Sequence, residues 1–260
     1  MLKPGKLTAR LCLALVLQLV SNLQAKQTSQ PPKNVSELGR AAGDETDRSA
    51  LQHLRALAKK GDATAQLNLG EMYISGQGVP KNPAKAVAWF RRAANQGYAD
   101  AEFWMGWMYG TGDGVPKDSV QAARWFQLAA NQGHAYAQGN LGSLYLLGDG
   151  VPKDSVQAVK WLRRAAAKDY AFAQDKLGVL YTLGEGVPRD AAQAVAWFRR
   201  AANQGYDNAQ VNLGEMYETG EGVEKDLAQA EAWYRKAAAQ GNSSALNALK
   251  NLNQVTKGRR

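Results

Sequence analysis

The residues able to do chemistry in this 260-residue chain are few: two histidines, one cysteine and scattered carboxylates. His53 takes the place that Trp89 holds 36 residues later, and His134 takes the place of Tyr98, Tyr170 and Tyr206. Both exchanges put one ring where another packs, and neither histidine has a second ligand at zinc spacing. Structural packing is therefore expected of both. The patterns H-E-x-x-H, S-x-x-K and K-T-G, which mark zinc proteases and serine acyl-enzymes, do not occur. Glu71 and Glu215 are four repeat spacings apart, too far for a glycosidase carboxylate pair at roughly 5–10 Å. Five Gly-x-Gly turns, the first Gly76-Gln77-Gly78, lack the preceding strand and following Lys-Ser/Thr of a phosphate loop. They read as inter-helix turns. No metal or organic cofactor is implied. What stands apart is "AEFWMGWMYGTGDGVP", Ala101–Pro116, whose Trp104 and Trp107 have Asn, Lys, Ser, Val or Glu in the sister segments.

Those segments recur with a period of 36 residues. Gly70, Gly106, Gly142, Gly178 and Gly214 are period mates, as are Tyr73 and Trp89 with their four counterparts. Fixed spacing of this kind is the signature of a solenoid. In each unit, Ala65, Leu69, Met72, Tyr73 and Gly76 form one apolar stripe at helical spacing. Paired glycines then break the helix. The second helix opens on Asn82-Pro83, or on Asp118 and Asp154 followed by Gln three residues later, a capping box. Ala86, Trp89, Phe90, Ala93 and Ala94 make its stripe, and Gly97 ends it. Asp169 replaces that glycine in the third unit, where a looser helix end is expected. "ALQHLRALAKKGD" aligns as a lone second helix and "ALNALKNL" as a lone first helix, with Lys250 and Asn253 in place of Gly and Tyr. Polar substitution of this kind suits a capping repeat.

Outside the repeats the chain changes character. Lys3, Lys6 and Arg10 precede the apolar run Leu11–Val20 and the polar "SNLQA", the layout of a secretory signal peptide over residues 1–25. About 20 apolar residues are needed to span a bilayer, so this run is too short. Cleavage after Ala25 removes Cys12, leaving no thiol for disulfides or metal binding. Residues 26–46 are polar and Pro-containing and read as a disordered leader; residues 47–254 hold the array and 255–260 a basic tail. The full charge is +9; without Lys3, Lys6 and Arg10, 29 basic residues face 23 acidic ones, a net of +6. That is no nucleic-acid footprint. Arg91–Arg92, Arg163–Arg164, Arg199–Arg200 and Arg235–Lys236 nonetheless form a repeated basic ridge, interrupted by Gln127-Leu128. It reads as a solvated face whose stems cover apolar surface, or as a ridge for an acidic partner or an anionic envelope surface.

"LGEMY", "GQGV" and "AVAWFRRAANQG", with their period mates, resemble the SEL-one-like repeat, a relative of the tetratricopeptide repeat with its 34-residue period. The resemblance covers about residues 47–254. It implies an all-α, right-handed α/α superhelical solenoid of five 36-residue helix-turn-helix repeats (63–98, 99–134, 135–170, 171–206 and 207–242) with terminal capping half-repeats. It also implies a scaffold for protein contacts. Bacterial members serve as secreted or periplasmic adaptors, signalling regulators, host-interaction factors and interbacterial immunity proteins. A cysteine-rich branch is linked to β-lactams, and its paired cysteines are missing here.

By analogy with tetratricopeptide arrays, first helices line the concave surface. At about 100° per residue, positions 67, 71, 74 and 75 point away from the apolar stripe, with 68 at its flank. Across units this row reads Leu67, Asn68, Glu71; Phe103, Trp104, Trp107; Gly139, Asn140, Ser143; Asp175, Lys176, Val179; Val211, Asn212, Glu215. The framework is kept while the row differs in every unit, which is where a solenoid holds its specificity. Trp104 and Trp107 there either fill a gap against the neighbouring unit or serve as hot spots for a protein partner, and the hot-spot reading is the expectation. The expected function is a non-enzymatic interaction scaffold, periplasmic or secreted. The alternative is an envelope-glycan (peptidoglycan) binding protein or hydrolase using Glu71, Asp175 and the two indoles.

Overall fold

A computed structural model describes residues 44–257, which fold into twelve helices and, among these residues, no strand. The expected signal peptide, most of the leader and the last residues of the tail lie outside them. The chain divides between His53 and Leu54 into two units. Residues 44–53 begin α1 (Asp44–Lys59), and His53 on it is exposed, not packed as the sequence suggested. The rest of α1 and eleven more helices form the array. First and second helices alternate: α2 Ala63–Ser75 and α3 Pro83–Ala94; α4 Ala99–Thr111 and α5 Ser119–Asn131; α6 Ala135–Leu147 and α7 Ser155–Ala166; α8 Ala171–Leu183 and α9 Ala191–Asn203; α10 Asp207–Thr219 and α11 Leu227–Ala239. α12 (Ser243–Lys257) is the lone first helix at the end. From α2 onward each helix packs on its sequence neighbours, the arrangement of an all-α solenoid. No described helix is long and apolar enough to cross a membrane.

The caps are those the sequence proposes, with one difference. Asn82, Asp118, Asp154, Asp190 and Asp226 accept the backbone N–H three residues on, at 2.9–3.0 Å. A reciprocal capping box would use the N–H of the cap residue itself. That N–H instead donates to the carbonyl of Tyr73, Tyr109, Tyr145, Tyr181 or Tyr217, at 2.8–2.9 Å. The inter-helix turn brings that carbonyl to the cap, so the box closes only halfway and the bond ties the two helices of a unit together.

The core anchor is not the repeated tryptophan but the large apolar residue after it. Phe90, Phe126, Leu162, Phe198 and Tyr234 are buried, whereas Trp89, Trp125, Trp197 and Trp233 are half-buried and only Trp161 is closed off. The reason is the glycine opposite. A Cβ built on Gly106 would stand 2.6 Å from Phe126, so the ring occupies the space a side chain would need. Four of the five indoles are roofed by cations: Arg92 over Trp89, Arg164 over Trp161, Arg200 over Trp197 and Lys236 over Trp233, at 3.7–5.0 Å from the ring centroid. Part of the basic ridge therefore belongs to the framework. Asp169 also departs from expectation. It adopts the left-handed conformation (φ 57°) and keeps the turn's bonds, with Tyr170 N–H donating to Ala165 at 3.3 Å. Its carboxylate accepts from Arg200 and Gln174, which holds the residue where glycine would sit without help.

Candidate functional site

The variable row of the first helices is a seam between units, not an open surface. Leu67, Phe103, Trp104, Gly139, Ser143, Asp175, Lys176, Val179, Val211 and Asn212 are buried; Asn68, Glu71, Trp107, Asn140 and Glu215 are half-buried. Successive first helices meet along this row. Trp104 donates its indole N–H to Glu71 of the unit before, at 3.3 Å, and Asn212 donates to Asp175 of the unit before, at 2.8 Å. Helical angle alone misplaces these residues because a first helix touches a helix of its own unit and first helices on either side.

In units one to four the seam carries a chain of rings. Trp104 stacks on Phe90 with centroids 5.3 Å apart and planes parallel. Phe103 sits 5.9 Å from Trp104 and 6.4 Å from Trp107, and stacks on His134 at 4.7 Å. Phe103 also reaches Tyr136 at 6.0 Å; Tyr136 meets Tyr170 edge-on at 4.7 Å, and Tyr170 leads to Phe172. Lys176 lies over Phe172 at 5.2 Å. Phe90, Phe103 and Trp104 are buried and the other five rings are half-buried. The half-buried edge includes Trp107, Tyr136 and Phe172, bordered by Glu71 and Asn140. Tyr136 and Phe172 are not in the row read from sequence. They stand four residues before Asn140 and Lys176, one helical turn away on the same face, which was the available signal.

Electrostatics follow from burial. Burial raises the Glu71 carboxyl above its ordinary range, Trp104 partly offsets this, and Asp100 adds repulsion. Asp175 is raised by burial although Lys176 and Asn212 both touch it. Glu215 is pushed up to about 7 by burial and by Glu218. Asp100 is lowered, chiefly by its hydrogen bond with His134, whose Nδ1 also caps α6 by accepting from Ala137 at 3.2 Å. His134 is thus a packing and capping residue, as its ring-for-ring position suggests. Ser143 donates to the Gly139 carbonyl at 3.1 Å, an intrahelical bond. The structure does not bring Glu71 and Asp175 together; their hydrogen-bond partners belong to different units, and Asp175 is 1% exposed. No group of three or more His, Cys, Asp or Glu able to hold a metal occurs among the described residues.

Against this geometry the comparisons are specific. The Sel1 repeat model matches residues 63–98, 99–134, 135–170, 171–206 and 207–242, the five helix pairs described above. The chain belongs to the Sel1-repeat family. Its array resembles a Sel1 repeat protein from Oxalobacter formigenes at 32% identity and a TM-score of 0.75, over 90% of this chain and 85% of that one. It also resembles a protective antigen present in uropathogenic Escherichia coli strains, which displays an SLR fold, at 37% identity and a TM-score of 0.73. That match covers 78% of this chain but 44% of the other, so the Sel1 array here spans under half the length of the E. coli protein. A search of curated proteins found no match. Sel1-repeat proteins are generally protein-interaction scaffolds and typically non-enzymatic.

Proposed function

We propose that this Sel1 array is a non-enzymatic scaffold that binds a protein partner at the half-exposed edge of its first-helix seam, in the bacterial periplasm or outside the cell. One observation carries the reading. Trp107 is a half-buried indole found in a single unit and backed by Phe103, so its inner edge is fixed while its outer edge stays available. A rigid aromatic of this kind is the commonest type of interface hot spot. Tyr136 and Phe172 extend the edge, and Asn68, Glu71 and Asn140 supply polar groups at its rim. The buried members of the row, Phe103, Trp104, Ser143, Asp175, Lys176 and Asn212, shape the seam from behind. Glu215, at the other end of the array, borders the same seam.

The hydrolytic alternative needs an acid and a base facing one sugar, and Asp175 is engaged and closed in. A photo-cross-linking residue at Asn68 or Asn140 is expected to capture one partner in envelope extract, while the same residue at Lys160 on a second helix is not. Trp107→Ala is expected to weaken that partner's binding by about 2 kcal/mol or more. Capture of that same partner equally from both faces, or turnover of peptidoglycan by the purified protein, overturns the proposal. Export rests on the apolar run Leu11–Val20. A mature chain beginning near Lys26 in the periplasm or medium is expected, and recovery of Met1 in the cytosol rejects it.

A further inference from the structure

The two sets of helices differ sharply in charge. The five second helices carry eleven lysines and arginines, all exposed, and one carboxylate, Glu231; the five first helices carry seven carboxylates and one amine, Lys176. Two cations recur at fixed places in units one, three and four. Arg91, Arg163 and Arg199 donate to the hydroxyls of Tyr109, Tyr181 and Tyr217 at 2.8–3.0 Å. Arg92, Arg164 and Arg200 lie over Trp89, Trp161 and Trp197. Hydroxyls and ring faces orient these guanidiniums without neutralising them, and each guanidinium has five donors. Among the described residues Arg91, Arg92, Arg163, Arg164 and Arg199 make no ion pair; Arg200 pairs with Asp169 and Arg235 with Glu231.

The second unit breaks the row in a particular way. Gln127 turns its amide to Asn131 at 2.9 Å, and Leu128 stands 47% exposed where every other unit has a cation. Val120 and Val156, 47% and 66% exposed, open the second helices of units two and three. We propose that the second-helix face is a docking surface, separate from the first-helix seam, for an acidic polypeptide segment that sets an apolar side chain against Leu128. Oriented forks match discrete carboxylates two-pronged. The apolar break favours a polypeptide, because that polymer can present carboxylates and an apolar side chain on one strand, whereas a phospholipid surface keeps its acyl chains beneath the phosphate layer that the guanidiniums would meet.

The test uses the full chain and a fluorescein-labelled oligoglutamate peptide with one central leucine, read by fluorescence anisotropy. A peptide with serine at the centre and vesicles of phosphatidylglycerol in phosphatidylcholine serve as competitors. The leucine peptide is expected to bind about fivefold or more tightly than the serine peptide, as burial of an apolar side chain allows. Arg163→Gln with Arg164→Gln is expected to weaken both peptides about tenfold, the size of losing two exposed ion pairs, and to flatten the salt dependence. Leu128→Arg lies on the surface and spares the fold; it is expected to abolish the preference for leucine while keeping acidic binding. Trp107→Ala is expected to leave all three results unchanged, which separates this surface from the seam. Equal affinity of the unaltered protein for the two peptides, an unweakened double variant with intact helical signal, or tighter binding to the vesicles than to the leucine peptide would overturn the proposal.

Discussion

Trp104 and Trp107 lie one turn apart on α4 yet meet different surroundings. Trp104 is 7% exposed, stacked on Phe90 and bonded to Glu71, while Trp107 is half-buried against Phe103 alone among the rings. Trp104→Ala should therefore cost roughly 3–5 kcal/mol, the usual range for truncating a buried aromatic. Trp107→Ala should cost about 1–2 kcal/mol, within the ordinary spread for a partly buried site. Denaturant unfolding of the two variants makes the comparison, and equal losses would mean that both indoles serve packing only. Glu215 gives a second residue-scale prediction. Its folded carboxyl titrates near 7 against an ordinary 4.5, so between those values the folded state holds a proton that the unfolded chain has released. Stability contributed at this site is then full below about pH 4.5 and lost as pH rises to about 7. Glu215→Gln should remove that loss and melt higher than the parent at pH 8, with the two curves converging below pH 4.5. A parent-minus-variant difference that is flat across this range would show that the carboxyl titrates normally.

Among the helices, a glutamine ladder joins units one, three, four and five each to the helix before it, Glu102 standing at that place in unit two. Gln66, Gln138, Gln174 and Gln210 donate to the carbonyls of Ala58, Ala130, Ala166 and Ala202 at the end of the preceding second helix, at 3.0–3.3 Å. Their own oxygens accept from Gln96, Gln204 and Gln240 in units one, four and five, at 2.7–2.9 Å. In unit three that donor is Lys168, which bonds the Gly133 carbonyl instead and leaves the buried Gln138 oxygen without a protein partner. A buried unsatisfied acceptor costs about 1–3 kcal/mol. Lys168→Gln should thus stabilise the protein by about 1 kcal/mol, measured by chemical unfolding, while Lys168→Ala should not. The ladder is invisible to a reading of apolar periodicity, since its members are polar and 30 residues apart.

The array as a whole draws stability from the contacts between its units. The glutamine bonds to Ala58, Ala130, Ala166 and Ala202 leave their own unit, and so do Trp104 to Glu71, Asn212 to Asp175 and the Arg–Tyr pairs. A peptide of residues 135–170, the third unit alone, should show little helix by far-ultraviolet circular dichroism, whereas the full chain should be predominantly helical. A stably helical, monomeric single unit would contradict this account.

Period, helix pairing, caps and the family resemblance were all legible in the sequence because they are local or strictly repeated: a 36-residue spacing, an Asn or Asp before each second helix, a glycine at one fixed place in each first helix. Which ring is the anchor was not. Trp89 and Phe90 are adjacent and both apolar, and only the packed helix pair shows that the glycine receives Phe90 while the indole turns outward under Arg92. The same holds for the variable row. Helical angle gives a residue's direction about one axis, but Asp175 and Trp104 are closed in by residues 33 to 37 positions away on neighbouring first helices. Burial in a stacked array depends on what the next unit brings, so the sequence alone determined the repeat and the tertiary structure alone decided which of its variable residues reach the surface.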